Sequence, residues 1–329
     1  MTNKSMSLNK PFLMRPAAKD YLWGGNRLND DFEKGIDLSP LAETWECSVH
    51  PDGPSVIANG EYAGMSLADA LSLHPEWIGR GRTELPILVK LIDAKQNLSV
   101  QIHPSDEYAA KYENGQLGKS EMWYVLDAAP NATLVYGLNR NMEEEKLRKS
   151  IDEGTLEEYL QTVPIEKNQV FFIQAGTIHA IGAGALIAEI QESSNLTYRL
   201  YDYNRIGKDG KKRELHVDKA LDVANLRTSG VPRQPMRTLK FRKGCASELL
   251  SRCKYFEVYR MLLNTERCRE LVGYQAEDSF RVLLCVEGCG SFEVGGEVTN
   301  FFKGDCVFFP AYSHKARLHG KAQILDIRG

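Results

Sequence analysis

Long apolar runs are absent from this chain of 329 residues. No stretch approaches the roughly 18 residues a membrane-spanning helix needs. The opening MTNKSMSLNKPF lacks the apolar core of a secretory signal. A large charge excess is missing too: 41 basic and 44 acidic residues leave a net charge of −3. That balance gives no electrostatic footprint for nucleic acid or an anionic membrane. Cysteine is scarce where it could matter. Only Cys47 lies in the first 240 residues, and the other six, from Cys245 to Cys306, form no CxxC pair. A zinc ribbon is therefore excluded, and reduced buried thiols are expected; Cys285 and Cys289 flank a Glu-Gly turn and come near enough to meet. These absences predict a cytoplasmic protein with no nucleic-acid or membrane partner. They leave the oligomeric state open.

What is present is an ordinary soluble composition, 43% hydrophobic and 26% charged, in a chain long enough for two domains. Most of it reads as short strands rich in β-branched and aromatic residues. LPILVKLID (85–93), EMWYVL (121–126), TLVYGL (133–138), QVFFIQ (169–174), ALIAEIQ (185–191) and TYRLYDY (197–203) are separated by turn signals. Helices interrupt them. Ser66 is placed to cap a helix through SLADALSLHPEW, and a helical insertion spans about 140–163 with Asn141 and Thr155 as caps and a break at Gly154. A third helix is predicted in HVDKALDVANL (216–226). RTSGVPRQP (227–235) reads as a linker, after which strands resume: EVYRMLL, FRVLLCVEG, GSFEVGG, DCVFFPA and AQILDI. The expected fold is mainly β, two tandem jelly-roll barrels with a small helical insertion, divided as 1–230 and 238–329. NQVFFIQAGTIHAI (168–181) and GDCVFFPAYSHKA (304–316) echo one another, which two related barrels explain.

Chemistry concentrates in VQIHPSDEYAAKYENGQLGKSEMWYVL (100–126). Residues two apart on a strand share a face. Gln101 and His103 then point inward together, and so do Lys119 and Glu121 on the next strand. AGTIHAIGAG (175–184) adds His179 at the end of an apolar strand. Two imidazoles, a carboxylate and an amide oxygen inside a barrel form a transition-metal site, suited to zinc and also to iron or manganese.

Six segments carry a resemblance: LMRPAAKDYLWGG, ETWECSVHPDGPS, LPILVKLIDAKQNLSVQIHP, GKSEMWYVL, QAGTIHAIGAG and NLTYRLYDYNRIGKDGKKRELHVDKAL. In this order they resemble the type I mannose-6-phosphate isomerases (phosphomannose isomerases) of the cupin superfamily, in their short bacterial form. The resemblance covers nearly the first 225 residues; the second barrel matches in layout more than in sequence. It implies metal ligands at Gln101, His103, Glu121 and His179, with one Zn2+ per chain. It also implies catalytic roles for Lys119, Glu189 and Arg199. Asn195 and Asn204 stand where relatives often carry Asp, so neither serves as a carboxylate. Glu43, Trp45, Glu46 and His50 lie in a family segment that lines the site. KDGKKR (208–213) is a basic loop that reads as solvated, with contact to a phosphate as the alternative. His314 is expected to be structural, in a second barrel without metal.

The implied reaction interconverts mannose 6-phosphate and fructose 6-phosphate, small-molecule phosphosugars, through an enediol. Developing charge on oxygen then needs zinc and an arginine, and the proton needs a base, Lys119 or Glu189. Three other readings stand beside it: an isomerase of a related phosphosugar, an Fe(II) cupin oxygenase, and a sugar-binding regulator that keeps the metal without turnover. Gln101, Lys119 and Arg199 are a polar set an oxygenase does not need.

Overall fold

A computed structural model describes residues 9–207, 210–268 and 270–329, so residues 1–8 of the opening segment lie outside it. The chain is mainly β, as the strand-rich pattern predicts, and its strands form three antiparallel sheets. A six-stranded sheet is central. Its order is Val170–Ile173, Glu121–Ala128, Ala185–Glu192, Ile87–Asp93, Glu43–Cys47 and Ala17–Lys19. On one side lies a five-stranded outer sheet: Tyr198–Tyr201, Val100–Ile102, His179–Ile181, Thr133–Leu138 and Leu160–Pro164. On the other lies a ten-stranded sheet built mostly from the C-terminal part of the chain.

Strand alternation explains the layering. In Glu121–Ala128, Met122, Tyr124 and Leu126 join a core shared with Val258, Val282, Leu284, Leu325 and Ile327 of the large sheet. Trp123 and Val125 point the opposite way, into a core with Leu134 and Ile181 of the outer sheet. Both faces of the central sheet are therefore covered, which is why its strands read as nearly unbroken apolar runs. The outer sheet's far face packs against the helices Glu144–Asp152 and Val217–Val223 through Leu147, Ile151, Ala220 and Leu221. The large sheet encloses a further core around Leu283, Phe292 and Phe309.

Several expectations meet the structure differently. Ser66 does cap Leu67–Leu73, accepting from Asp69 N at 3.0 Å. Asn141 caps nothing: its Oδ1 accepts from Thr228 N, and the helix begins at Glu144 without a side-chain cap. Thr155 precedes a 3-10 turn, Leu156–Tyr159, likewise without a side-chain cap. Glu287-Gly288 is not a hairpin turn. It is paired within one long strand, Arg281–Val294, just past an irregularity at Val286, with Gly288 at φ 76°. Its interior position against Ala316–Arg328 absorbs the extra residue as a bulge. Cys285 is consequently buried and Cys289 exposed, and both are free.

The first described strand, Phe12–Arg15, does not join the sheets its neighbours in sequence build. It pairs antiparallel with Cys306–Phe309 of the large sheet and carries Val56–Ile57 on its other edge. Phe308 is the keystone of this union. It is fully buried, with Phe12 stacked at 5.4 Å and Phe280 at 5.8 Å. Phe308→Ala is expected to cost about 3–5 kcal/mol, because the cavity lies between strands from opposite ends of the chain and closes poorly. Chemical denaturation measures this; a loss under 1 kcal/mol refutes the keystone role.

Candidate active site and metal centre

The inner face of the central sheet, apolar at one end, becomes charged at the other. Ile187 and Val125 give way to Glu189, Trp123 and Glu121, and Ile92 gives way to Lys90. The three charged groups and Trp123 are all buried. The outer sheet supplies the opposing wall. His179 pairs in register with Gln101, and Gln101 with Arg199 on the next strand. His103 follows just beyond Val100–Ile102. Gln101/His103 and Lys119/Glu121 thus come from facing sheets, not from neighbouring strands. A helix the sequence reading missed, Asp106–Tyr112, makes the crossing, with Ser105 accepting from Tyr108 N as its cap. Ser105-Asp106-Glu107, a cap followed by acids, is the signal that could have found it.

His103, Glu121 and His179 converge so that their ligand atoms all lie within 4.8 Å of one another. Glu121 Oε2 is 3.5 Å from His103 Nε2, and Oε1 is 3.4 Å from His179 Nε2. The two Nε2 atoms are 3.1 Å apart. Each ring is oriented from behind: His103 Nδ1 donates to Leu196 O at 3.0 Å and His179 Nδ1 to Thr177 O at 2.8 Å. With Nδ1 holding the proton, a neutral ring presents a lone pair at Nε2. Burial, with the Lys119 charge adding to it, pushes His103 down to about 3. Burial also lowers His179, despite Glu121 beside it. Burial alone would raise Glu121, but Lys119 and the two histidines hold it well below the usual carboxylate range. Two imidazole lone pairs therefore face an ionised carboxylate whose Oε1 has no donor among the described residues. Three acceptors without a proton between them repel unless a cation joins them, so the residues present fit a divalent metal.

The cluster adjoins a cavity of about 260 Å³. Gln101, Lys119, Glu189, Arg199, Asn195 and Glu43 line it, with Tyr21, Trp23, Lys90 and Arg213. Lys119 Nζ lies 2.9 Å from Glu121 Oε2 and 3.9 Å from Glu189 Oε1. Glu189 accepts from Trp123 Nε1 at 3.0 Å and faces Lys90 at 3.4 Å. Burial first, then Glu121, raises the Glu189 pKa against the pull of Lys119 and Lys90. Arg199 Nη1 donates to Glu214 O at 2.8 Å, while its Nε is buried without a partner. No carboxylate pairs with it among the described residues; Asp202 is taken by Arg205 and Arg213.

The segment 43–55 divides. Glu43 lines the cavity, and Trp45 is wholly buried beneath it, with Nε1 donating to Glu43 and Lys90 Nζ 4.8 Å from its ring. Glu46 points the other way, to Lys34 at 2.6 Å, and His50 sits edge-on to Trp45 beside Asp52. Asn195 donates to Asp52 Oδ2 at 2.8 Å, and Asn204 accepts from Lys212. Of KDGKKR, residues 208 and 209 lie outside the described residues, and Arg213 alone lines the cavity. His314 has no place in the cluster. Lys90 was missed altogether. A single lysine inside ILVKLID, on the face that Ile92 sends inward, was the available signal.

Comparison with known proteins gives the family. Residues 12–131 match the family described as phosphomannose isomerase type I, catalytic domain, and 247–328 match the mannose-6-phosphate isomerase cupin domain. The chain is 35% identical over 317 residues to mannose-6-phosphate isomerase ManA of Bacillus subtilis, covering 96% of this chain and 98% of that one. The chain belongs to the type I phosphomannose isomerase family. Mannose-6-phosphate isomerase of Streptococcus mutans is 33% identical, with 96% of this chain and 97% of that one covered. A crystal structure of the B. subtilis mannose 6-phosphate isomerase superposes with a TM-score of 0.89 at 32% identity, covering 97% of this chain and 99% of that one. That the chain is a cupin enzyme of the phosphomannose isomerase type is thus shown by sequence and fold together.

Behind this cluster lies a second carboxyl pair. Glu192 accepts from Ser120 N, between Lys119 and Glu121, at 2.6 Å. Its other oxygen has no donor among the described residues and lies beside Asp106. Asp106 is held by Tyr255 Oη at 2.6 Å and Gly118 N at 3.0 Å. Burial first, then Asp106, pushes Glu192 up to about 7 from 4.5. Folded Glu192 therefore keeps a proton that the unfolded chain releases, and stability falls as pH rises from about 4.5 toward 7. Above that range this group adds no further slope. Glu192→Gln, which imitates the protonated acid, should gain on the parent by up to about 3 kcal/mol between pH 5 and pH 8. Denaturant titrations at both pH values test this; parallel pH profiles for the two proteins refute it.

Proposed function

We propose that the protein interconverts mannose 6-phosphate and fructose 6-phosphate through an enediol, using one zinc ion. His103, Glu121 and His179 hold the metal, with Gln101 as the fourth ligand. The observation that carries this is the trio of orphaned lone pairs beside a polar cavity of sugar-phosphate size. Relatives that cover the chain end to end bear the same activity in their names. Two imidazoles and a carboxylate are a donor set of catalytic zinc sites. When bound, the zinc ion supplies positive charge that polarises a substrate oxygen.

The chain's own residues do the rest. Glu189, with its pKa raised, is the group suited to take the proton from the carbon beside the carbonyl and return it to the neighbouring carbon. Lys119 lies 3.9 Å from it and orders that carboxylate, serving as the second member of the proton-handling pair. Lys90 and Trp123 fix Glu189 from the other side. Arg199, whose Nε lacks a partner, offers a fixed charge to the enediolate oxygens. The chain is proposed to divide into a catalytic unit at 1–230 and a metal-free cupin-like unit at 238–329, with Phe12–Arg15 crossing between them.

A coupled assay with mannose 6-phosphate, before and after chelation, is the first test. Activity should vanish with the metal and return with zinc, and elemental analysis should find one metal per chain. Full activity after complete chelation, or two metals per chain, overturns the assignment.

Arg199→Ala tests the electrostatic role. It should lower kcat about a hundredfold or more, leave KM nearly unchanged and keep the metal content at the parent level. A raised KM with kcat preserved makes Arg199 a phosphate ligand instead.

A further inference from the structure

The catalytic cavity is not the larger one in the molecule. A cavity of about 530 Å³ opens in the C-terminal sheet and shares no lining residue with it. Its floor is Asp326, buried at 3% exposure. Asp326 accepts from Tyr274 Oη at 2.7 Å and Arg328 Nη2 at 2.7 Å, and Arg281 Nη1 lies 3.6 Å away. One carboxylate thus faces two guanidiniums. Three further cations, Lys240, Arg242 and Lys315, line the cavity without a carboxylate in ion-pair distance among the described residues. Glu277 is the other acid in the wall. Five cations against two acids is a marked excess in a chain whose net charge is −3. Phe241, between Lys240 and Arg242 on the edge strand Lys240–Arg242, is 80% exposed at the same cavity.

Exposed lysines alone are ordinary. A concave site with guanidiniums at its base is not, because gathering like charges costs energy unless an anion joins them. Arg328 gives Nε and Nη2 to Asp326 at 3.2 and 2.7 Å, so its Nη1 and the Arg281 guanidinium, 3.6 Å from that carboxylate, are the donors left for a phosphate, and the volume suits a small organic molecule. An aromatic ring at the rim suits the organic part of that molecule. We propose that this cavity binds a phosphomonoester: its dianion sits above Arg281 and Arg328, and its organic portion rests on Phe241. The site is separate from the catalytic one, and its occupancy does not depend on the isomerase reading.

Calorimetric titration of the full chain at constant ionic strength tests this, with phenyl phosphate and inorganic phosphate as probes. The titrations use an Arg199→Ala background, which removes one cation of the catalytic cavity. Phenyl phosphate should bind this protein. Adding Lys240→Glu and Lys315→Glu, both at exposed positions, should weaken it at least tenfold. Adding Phe241→Ala instead should weaken phenyl phosphate severalfold and leave inorganic phosphate unchanged. No binding in the Arg199→Ala background, or equal affinity in the double rim variant, overturns the site. Equal affinity for phenyl phosphate after Phe241→Ala overturns its assignment to a phosphomonoester.

Discussion

A sheet with no free face is the constraint from which the rest follows. The central sheet is covered on one side by the large sheet and on the other by the outer sheet. Any charge on it is therefore removed from water and must be answered locally. The inner face answers it by alternation. Glu43 meets Lys90 at 3.7 Å, Lys90 meets Glu189 at 3.4 Å, and Lys119 lies between Glu189 and Glu121. Burial would neutralise Lys90, yet Glu43 and Glu189 hold its pKa up. Three carboxylates against two lysines leave one negative charge in the row, at the end where two neutral imidazoles wait. A divalent cation there would turn the row positive, the sign that Arg199 and Arg213 already give the rest of the cavity wall. That sign suits an anionic sugar phosphate.

Much of this arrangement was legible because alternation is a local property. Gln101 and His103 share a face by spacing alone, and so do Lys119 and Glu121. The odd-numbered face of TYRLYDY does carry Arg199 to the cavity, while Tyr198 and Leu200 go to the helix-covered core. Spacing could not say which sheet each pair belonged to. The pairs lie on opposite walls, and the Asp106–Tyr112 helix that separates them was hidden in a segment read for its ligands. Lys90 was overlooked for a related reason. In a strand buried on both faces the alternation signal flattens, and one lysine looks like noise until its partners Glu43 and Glu189 are seen beside it.

Non-local pairing was harder still. Nothing within FLMR announces that Phe12–Arg15 will pair with Cys306–Phe309, nearly the whole chain away. Short apolar strands are compatible with many partners, and the choice is made by packing, here by the stack of Phe12, Phe308 and Phe280. The same limit explains why Glu287-Gly288 stays in the ladder, just past a bulge at Val286. Glycine after an acid is a good turn locally, but twelve paired residues of the neighbouring strand hold the chain straight.

These long-range unions bear on the chemistry. The backbone that presents Lys119 and Glu121 is tied at Gly118 to Asp106 and at Ser120 to Glu192. Asp106 is in turn gripped by Lys254 and Tyr255, which belong to the hairpin between two strands of the large sheet. The C-terminal part of the chain thus braces, through Asp106, the segment that leads to the candidate metal ligand Glu121. A protein that needed only a metal and a cavity could manage with the central and outer sheets. Holding Lys119 at 2.9 Å from Glu121 and 3.9 Å from Glu189 needs the loop itself to be immobile, and the large sheet supplies that support.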